Sequence, residues 1–480
     1  MLFSSYSFLL FFPLVLILVG VLPVRFKNIA LLLASYYFYS CWSRRYCLLL
    51  LGCTVVVYAA ARLLEKRKWA FWAGLTVVLG LLAVFKYADF SLYTLEEITG
   101  RQMPRLNFVM PVGISFFTFQ AAGYLIDVYR GRYKPERNFV NFALFVSFFP
   151  QLLSGPIGRG GKLLPQYAEP QKPGFEDLRS GLLTMTWGYF LKLVIADRAA
   201  MLVDSVYGSF ESFPGICLVF ATVLYGIQIY CDFAGYSAMA IGAGRMLGIH
   251  LPVNFQTPYF AQSIQEFWRR WHISLSTWFR DYVYFPLGGS RCAQWKNYRN
   301  ILIVFLLSGL WHGASWSFVV WGGLHGLYQI IGKLTRGTRE KAVSALGIRT
   351  QAASWKIFRM AVTFLLVDFA WLFFRAEGLG TAMQMLRHAA LDLRPLELMD
   401  AIRNSTMGLD MADFWVLLLS ILFMTVLDIA RYRGVPLQAV YEKQNWLCRE
   451  VLLAGFMLFI FIFGIWGNGF HAASFIYFQF

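Results

Sequence analysis

Four long apolar stretches without a charged residue open the chain, at residues 6–24, 28–43, 46–61 and 69–85, with short basic clusters between them. A helix needs about 20 mostly apolar residues to cross the hydrocarbon layer of a membrane, so the pattern predicts membrane-spanning helices. The first stretch is longer than the core of a signal peptide and is expected to remain as the first span. Further candidate spans, some broken by Gly or Pro and therefore expected to be tilted or re-entrant, lie at residues 108–126, 139–155, 181–196, 216–243, 301–332, 357–374, 414–430 and 450–467.

A different pattern occupies residues 251–299, which are dense in Trp, Tyr and Arg. If this segment is helical, Phe267, Trp271, Leu275 and Trp278 share one face. A short, cationic and aromatic helix is typical of the membrane interface, and we expect it to lie in the plane of the membrane. Pro286 and the pair Gly288-Gly289, which follow the aromatic face, predict a turn.

Composition supports a membrane location, because 58% of the residues are hydrophobic and 14% are charged. A soluble domain carries about 25% charged residues. The formal charge of +17 would suggest nucleic-acid binding in a soluble protein. Here the basic residues lie mainly in short loops between apolar stretches, where the positive-inside rule and anionic lipids explain them, and no nucleic-acid partner is expected.

Two segments on either side of the stretch 357–374 carry opposite charge. The following segment, 376–413, is mainly acidic and is expected to face the periplasm or cell exterior. The preceding segment contains one acid, Glu340, and is expected to be cytoplasmic. Its basic residues are Lys333, Arg336, Arg339, Lys341, Arg349, Lys356 and Arg359.

The stretch 301–332 contains no charged residue but holds His312 and His325. A helix starting near Ile301 would place His312 about 17 Å along its axis, near mid-membrane depth. An ionisable residue at that depth is usually functional, although a histidine that is hydrogen-bonded within a helix bundle is the alternative. A structural role is favoured for His325.

Gly309 and Gly313 flank His312 at helical spacing, and Trp311 and Trp316 lie beside it. The glycines would let a slender substrate or another backbone approach, and helix packing is their commonest role in membranes. The tryptophans are expected to form the walls of a narrow cavity.

His272 is the second candidate, since Arg269, Arg270, Ser274, Ser276 and Asp281 surround it in the sequence. His250, His388 and His471 lie at segment ends or in loops without comparable neighbours.

No metal-binding motif or GxSxG motif occurs, so no metal is expected. The seven cysteines are expected to be buried thiols. A histidine acting as general base in a dry cavity suits acyl transfer to a hydroxyl.

Five stretches of sequence resemble the membrane-bound O-acyltransferase (MBOAT) family, most closely its bacterial polysaccharide branch. The most specific are EFWRRWHISLSTWFRDYVYFPLGG (266–289) and LSGLWHG (307–313). The others are PVGISFFTFQAAGYLIDVYRG (111–131), FFPQLLSGPIGR (148–159) and YCDFAGYSAMAIGAG (230–244). The resemblance implies an all-α polytopic fold, a ring of roughly 10–13 spanning or re-entrant helices around a central tunnel, with interfacial amphipathic helices.

The resemblance also implies the site and its partners. The family's buried histidine falls on His312 and its second position on His272. An acyl thioester such as acetyl-CoA would enter from the cytoplasm, and the acetyl group would pass through the inner membrane to an exopolysaccharide of alginate or cellulose type, by way of a periplasmic SGNH-like partner. Residues expected to line the tunnel or substrate are Trp268, Arg269, Ser276, Asp281, Trp311, Gly309, Gly313, Asp232 and Tyr236.

The chain is expected to form one domain over residues 1–480, with a catalytic core at 108–331, a motif region at 254–326 and C-terminal spans at 357–467. It departs from the branch at Ala234 and Ala238, where the branch commonly reads DFSGYSDMA, so the acceptor or partner could differ. Alternatives are D-alanyl transfer to teichoic acid, acylation of lipids or secreted proteins, and a transporter or scaffold without enzymatic activity. Charged pairs or inverted repeats in the membrane would indicate a transporter.

Overall fold

The computed structural model describes residues 1–466, and it is built from α-helices with no β-strand in that range. Contacts divide the chain into two compact units. Unit 1 comprises residues 1–188 and 236–253, and unit 2 comprises residues 189–235 and those from 254 onward. The single-domain organisation stays a prediction. His471 and the last residue of the final predicted span lie outside the described range.

Unit 1 is built from mainly apolar helices, and local capping fixes several of their ends. The Ser5 hydroxyl accepts the backbone N–H of Phe8 at the start of the first helix, and the Asn138 side chain caps the sixth in the same way. Gly100 ends the fourth helix in the left-handed conformation, with φ of 66°. The helices are α1 (Tyr6–Val21), α2 (Lys27–Ser40), α3 (Arg44–Leu64), α4 (Trp69–Thr99), α5 (Ile114–Tyr129), α6 (Phe139–Ser147), α7 (Phe149–Leu152), α8 (Gly160–Ala168) and α9 (Phe175–Tyr189).

Unit 2 begins with a π-helix at Phe190–Ala196 and includes a second one at Arg280–Tyr284. Helix α11 runs through the boundary at residue 235, and its final residues belong to unit 1. The helices are α10 (Asp197–Gly208), α11 (Gly215–Met246), α12 (Ile264–Arg270), α13 (Ile273–Phe279), α14 (Gln294–His312), α15 (Trp316–Leu334), α16 (Arg336–Ala345), α17 (Ala353–Arg375), α18 (Leu379–Leu391), α19 (Glu397–Arg403), α20 (Met411–Tyr432), α21 (Leu437–Glu442) and α22 (Trp446–Phe463).

Six helices among the described residues are long and apolar enough to cross a membrane: α3, α4, α11, α17, α20 and α22. Helix α1 is apolar and has 16 residues. The prediction of an all-α, multi-pass membrane protein is therefore confirmed. Two predicted spans differ in detail, because the helix in 108–126 begins only at Ile114 and the stretch 139–155 is divided at Phe148 between α6 and α7.

Two longer predicted helices are interrupted, and both interruptions concern the candidate histidines. The aromatic segment predicted as one interfacial helix is split at Trp271 and His272 into α12 and α13. The apolar stretch 301–332 is split after His312 into α14 and α15. Because α14 starts at Gln294, His312 lies about 27 Å along that helix, at its end. The helix is unbroken from Ile301 to His312, so His312 still lies about 17 Å from Ile301 along its axis, and its depth in the membrane stays a prediction.

Candidate functional site

His312 is the last residue of α14 and is surrounded by aromatic rings from three helices. Its ring centroid lies 5.0 Å from Trp311, 5.0 Å from Trp321 and 5.3 Å from Phe374, all at steep interplanar angles. These residues come from α14, α15 and α17, and the His312 side chain is buried with 2% exposure. The histidine therefore lies in a dry aromatic environment in which a proton-transfer group is shielded from bulk water.

His272 joins α12 to α13 and adopts the left-handed backbone region, with φ of 42°. Its imidazole is fully buried and meets the Phe233 ring edge-on, with centroids 4.6 Å apart. The two short helices beside it are outside the six candidate membrane spans. Burial lowers the pKa of the His272 imidazole to about 3, so this ring is neutral at physiological pH.

The two histidines predicted as catalytic are neighbours in the structure. Their ring centroids are 6.4 Å apart, and both rings contact Trp311, at 5.9 Å from His272 and 5.0 Å from His312. A neutral imidazole accepts the proton of a hydroxyl during attack on an acyl group. The arrangement is suited to holding one reacting hydroxyl beside a base inside an aromatic enclosure.

Gly309 and Gly313 have a visible packing role. A Cβ atom on Gly309 would overlap the Phe318 carbonyl oxygen of α15, and one on Gly322 would overlap the Phe305 carbonyl oxygen of α14. A Cβ on Gly313 would overlap the Phe318 ring. These contacts favour helix packing, the alternative interpretation of the glycines, because their bare faces are occupied by α15.

His325 is tied to Trp268, one of the residues predicted to line the tunnel. The Trp268 indole N–H donates to His325 Nδ1 at 3.2 Å, and both side chains are buried. The acceptor role of Nδ1 assigns the imidazole proton to Nε2. Trp321 contacts both His325 and His312, with centroids 5.0 Å away in each case. The favoured structural role of His325 is consistent with this pairing.

Asp232, another predicted lining residue, is an ion-pair partner of Lys192. The Lys192 ammonium lies 2.6 Å from an Asp232 carboxylate oxygen and 2.8 Å from one of Asp197, and all three side chains are buried. Lys192 belongs to the π-helix, a helix type that is frequent at functional sites. Sequence reasoning missed Lys192 and Asp197, although a lysine inside the apolar stretch 181–196 was a visible signal.

The remaining predicted lining residues have other surroundings and contacts. Arg269 is exposed, the Ser276 hydroxyl donates to the Trp271 carbonyl at 3.2 Å, and Asp281 pairs with the adjacent Arg280 at 2.9 Å. Tyr236 belongs to unit 1, where it stacks on Phe3 with centroids 4.7 Å apart. Their predicted contact with substrate stays a prediction.

A buried carboxylate in a membrane span was also missed by sequence reasoning. Asp368 of α17 has 7% exposure, and its Oδ1 would lie 2.9 Å from a Cβ built on Gly226 of α11. A side chain at Gly226 would therefore require this carboxylate to move. An intramembrane acid is a functional candidate by default, and the signal was a single Asp within the apolar stretch 357–374.

The burial of the cysteines and the arrangement of side chains that could bind a metal also bear on the expectations from sequence. Cys53, Cys217 and Cys231 are buried, but Cys41 is exposed, which contradicts the expectation that all seven thiols are buried. Cys41 directly follows the last residue of α2, in the short connection to α3, where fewer side chains cover it. Among residues 1–466, no group of three or more His, Cys, Asp and Glu side chains is arranged to hold a metal ion.

Comparison with known proteins places this site in a family. Residues 135–367 match the model of the membrane-bound O-acyltransferase family. The chain is 38% identical to Probable alginate O-acetylase AlgI of Pseudomonas aeruginosa over 92% of this chain and 84% of that protein. It is 36% identical to Peptidoglycan O-acetyltransferase of Helicobacter pylori, over 75% of this chain and 73% of that protein. It is 31% identical to Teichoic acid D-alanyltransferase of Streptococcus thermophilus, over 57% and 67% respectively.

The match to the family model contains both candidate histidines, and the similarity to the Pseudomonas protein extends over most of the two chains. The six candidate membrane spans agree with a family of membrane enzymes that use an acyl donor. The chain belongs to the membrane-bound O-acyltransferase family and is a multi-pass membrane O-acyltransferase.

Proposed function

We propose that the chain is an O-acetyltransferase of the inner membrane that supplies acetyl groups for an exopolysaccharide of alginate or cellulose type. The observation that carries the proposal is the buried pair of His272 and His312, with ring centroids 6.4 Å apart beside Trp311. The names of the similar proteins, an alginate O-acetylase and a peptidoglycan O-acetyltransferase, support a cell-envelope polysaccharide as the final acceptor.

In the proposed reaction His312 is the general base. Its imidazole takes the proton of the acceptor hydroxyl as the hydroxyl oxygen attacks the thioester carbonyl carbon. The carbon–sulfur bond then breaks, and the imidazolium returns the proton to the leaving thiolate. Trp321 and Phe374 exclude water, which would otherwise hydrolyse the thioester. His272, which is neutral, supplies a second polar group on the same enclosure.

The proposed donor is acetyl-CoA or another acyl thioester from the cytoplasm, and the proposed first acceptor is a hydroxyl on a periplasmic SGNH-like protein. The charge difference between the basic segment 333–359 and the acidic segment 376–413 supports opposite locations for the two sides of α17. A tunnel through a single catalytic domain would then connect donor and acceptor. Delivery to a partner would explain how a chain of helices modifies a large polymer outside the membrane.

The test is the variant His312→Ala, expressed in a host that lacks its own membrane O-acetyltransferase. The acetyl content of the secreted polymer should fall by about 100-fold or more, because general bases contribute about 10²–10⁴ to rate. His250→Ala is the matched control, since His250 is exposed and belongs to unit 1. Full acetylation by His312→Ala at a normal membrane level would refute the assignment of the base.

D-alanyl transfer is the second candidate, because the chain is 31% identical to a teichoic acid D-alanyltransferase. The two functions are distinguished by the acyl group that mild alkali releases when it hydrolyses the esters of the cell envelope. Acetate supports the proposed function, and D-alanine supports the alternative. The buried ion pairs of Lys192 are the kind of feature expected in a transporter, but the match to an acyltransferase family favours an enzyme. A transporter or scaffold role would leave the transferred ester unchanged in His312→Ala.

A further inference from the structure

Helices α1 and α2 enclose an apolar groove on the surface of unit 1, with a volume of about 490 Å³. Its rims include Leu14 of α1 and Leu33 of α2, both of which are largely exposed. Its floor includes Ala30 and Ala34, which are buried. The small alanine side chains create the groove, because longer apolar side chains at those positions would fill it.

The groove has a length along α1 that matches one leaflet of a bilayer. Phe11 and Tyr37, which line one end of it, stack with ring centroids 5.7 Å apart and planes at 29°. From Phe11 to Leu22 the groove follows α1 for about 16 Å, at about 1.5 Å per residue. Half of a hydrocarbon core about 30 Å thick is about 15 Å. The groove therefore accommodates a chain that enters from the interface and ends near the middle of the membrane.

Two cations lie near the other end of the groove, which Leu22 and Phe26 line. The Arg25 guanidinium stands 4.8 Å from the centroid of the Phe26 ring, which lines the groove. The Lys172 ammonium donates to the Gly20 carbonyl at 2.7 Å, and both basic side chains are exposed. A third cation, Lys27, is buried and donates to a backbone carbonyl at 2.6 Å. Three basic side chains thus lie near this end of the groove.

We propose that this groove binds an anionic phospholipid, with one acyl chain along α1 and α2 and the phosphate at the end marked by Arg25 and Lys172. Apolar contact alone accepts the chain of any lipid, whereas exposed basic residues near the membrane surface select anionic headgroups. The site is separate from the acyl-transfer histidines and does not depend on their assignment.

Native mass spectrometry of the full chain tests the proposal, with detergent micelles titrated by phosphatidylglycerol or by phosphatidylcholine. Phosphatidylglycerol should bind more tightly. The double variant Arg25→Gln/Lys172→Gln should weaken its binding by about 25-fold, at about fivefold for each lost charge. Ala34→Phe should abolish binding of both lipids at this site by filling the groove.

The control is Arg67→Gln/Lys68→Gln, which removes two exposed basic residues from another loop of the same unit. It should leave phosphatidylglycerol affinity unchanged. Melting temperature in detergent verifies that each variant is folded, and Ala30→Leu replaces Ala34→Phe if the latter is unstable. Equal affinity for the two lipids, or an equal loss in the control and the Arg25/Lys172 variant, would overturn the proposal.

Discussion

Lys192 shows how one residue can depend on charge compensation inside an apolar region. Its ammonium is buried between Asp197 and Asp232, at 2.8 and 2.6 Å. Moving such ions out of water is costly, and their mutual attraction offsets much of that penalty. Asp232 precedes Phe233, whose ring contacts His272, so the ion pairs fix a segment of α11 that reaches the candidate site.

Removal of the lysine alone should destabilise the protein, because two buried carboxylates then lose their cation. Lys192→Met is expected to lower the free energy of unfolding by about 3–5 kcal/mol. The neutral triple variant Lys192→Met/Asp197→Asn/Asp232→Asn should recover most of the lost melting temperature, measured in detergent. Arg336→Gln/Glu340→Gln is the control, since this pair is exposed and is expected to contribute little. A triple variant less stable than Lys192→Met would contradict the compensation argument.

At the scale of elements, the hairpin of α14 and α15 fixes the position of His312 through main-chain contact. Gly309 and Gly322 face each other's helix so closely that neither has room for a Cβ atom. The close approach of α14 and α15 therefore depends on the absence of a side chain at both positions. Gly323 lies next to Gly322 but is less constrained, because a Cβ there would meet its nearest neighbour, Leu306, at 3.8 Å.

Two neighbouring substitutions test this packing. Gly322→Ala should separate the helices, lower stability by about 1–3 kcal/mol as overpacking does, and reduce acyl transfer by displacing His312. Gly323→Ala should retain activity and stability, since it gains helix propensity without a close contact. Melting temperature and polymer acetylation are measured for both variants. Similar behaviour of the two would show that the close contact at Gly322 is unimportant.

The sequence predicts the apolar elements well but not the interruptions that shape the site. Helices such as α3, α17 and α20 follow from the length of their apolar stretches, because crossing a membrane imposes that length. The break at His272 depends on distant residues. The Asn254 carbonyl accepts the N–H of Ile273 at 2.9 Å, and the Ser274 hydroxyl donates to the Asn254 side chain at 2.6 Å. Periodicity within residues 266–279 contains no information about these contacts.

At the scale of the whole molecule, the charge pattern predicts the orientation of α17. Ser344, in the basic segment before it, and Asn404, in the acidic segment after it, are both exposed. In a background where Cys41, Cys47, Cys292 and Cys448 are serine, we expect Ser344→Cys to react with a membrane-impermeant maleimide only after spheroplasts are lysed. Asn404→Cys should react in intact spheroplasts. The reverse labelling pattern would invert the proposed directions of donor and acceptor.

The candidate site was partly predictable because a histidine in an uncharged stretch is conspicuous. His312 and His272 were both identified from sequence, but their separation of 6.4 Å is a tertiary property that spacing along the chain does not give. Trp321 and Phe374 were missed because their proximity to His312 is also a tertiary property. In addition, aromatic residues are common in membrane helices and do not stand out in the sequence. Asp368 and Lys192 were missed although each is a charged residue in an apolar stretch, the signal that singled out His312.

The hairpin that holds His312 also bears on how enzymes of this type diversify. The backbone of α14 and α15 determines where His312, the proposed base, lies, whereas side chains such as Trp321 and Phe374 surround its ring. Residues such as Trp321 and Phe374 can then be replaced one at a time while the backbone position of His312 is retained in each intermediate sequence. Such a division allows substrate preference to drift during evolution without passing through an inactive protein.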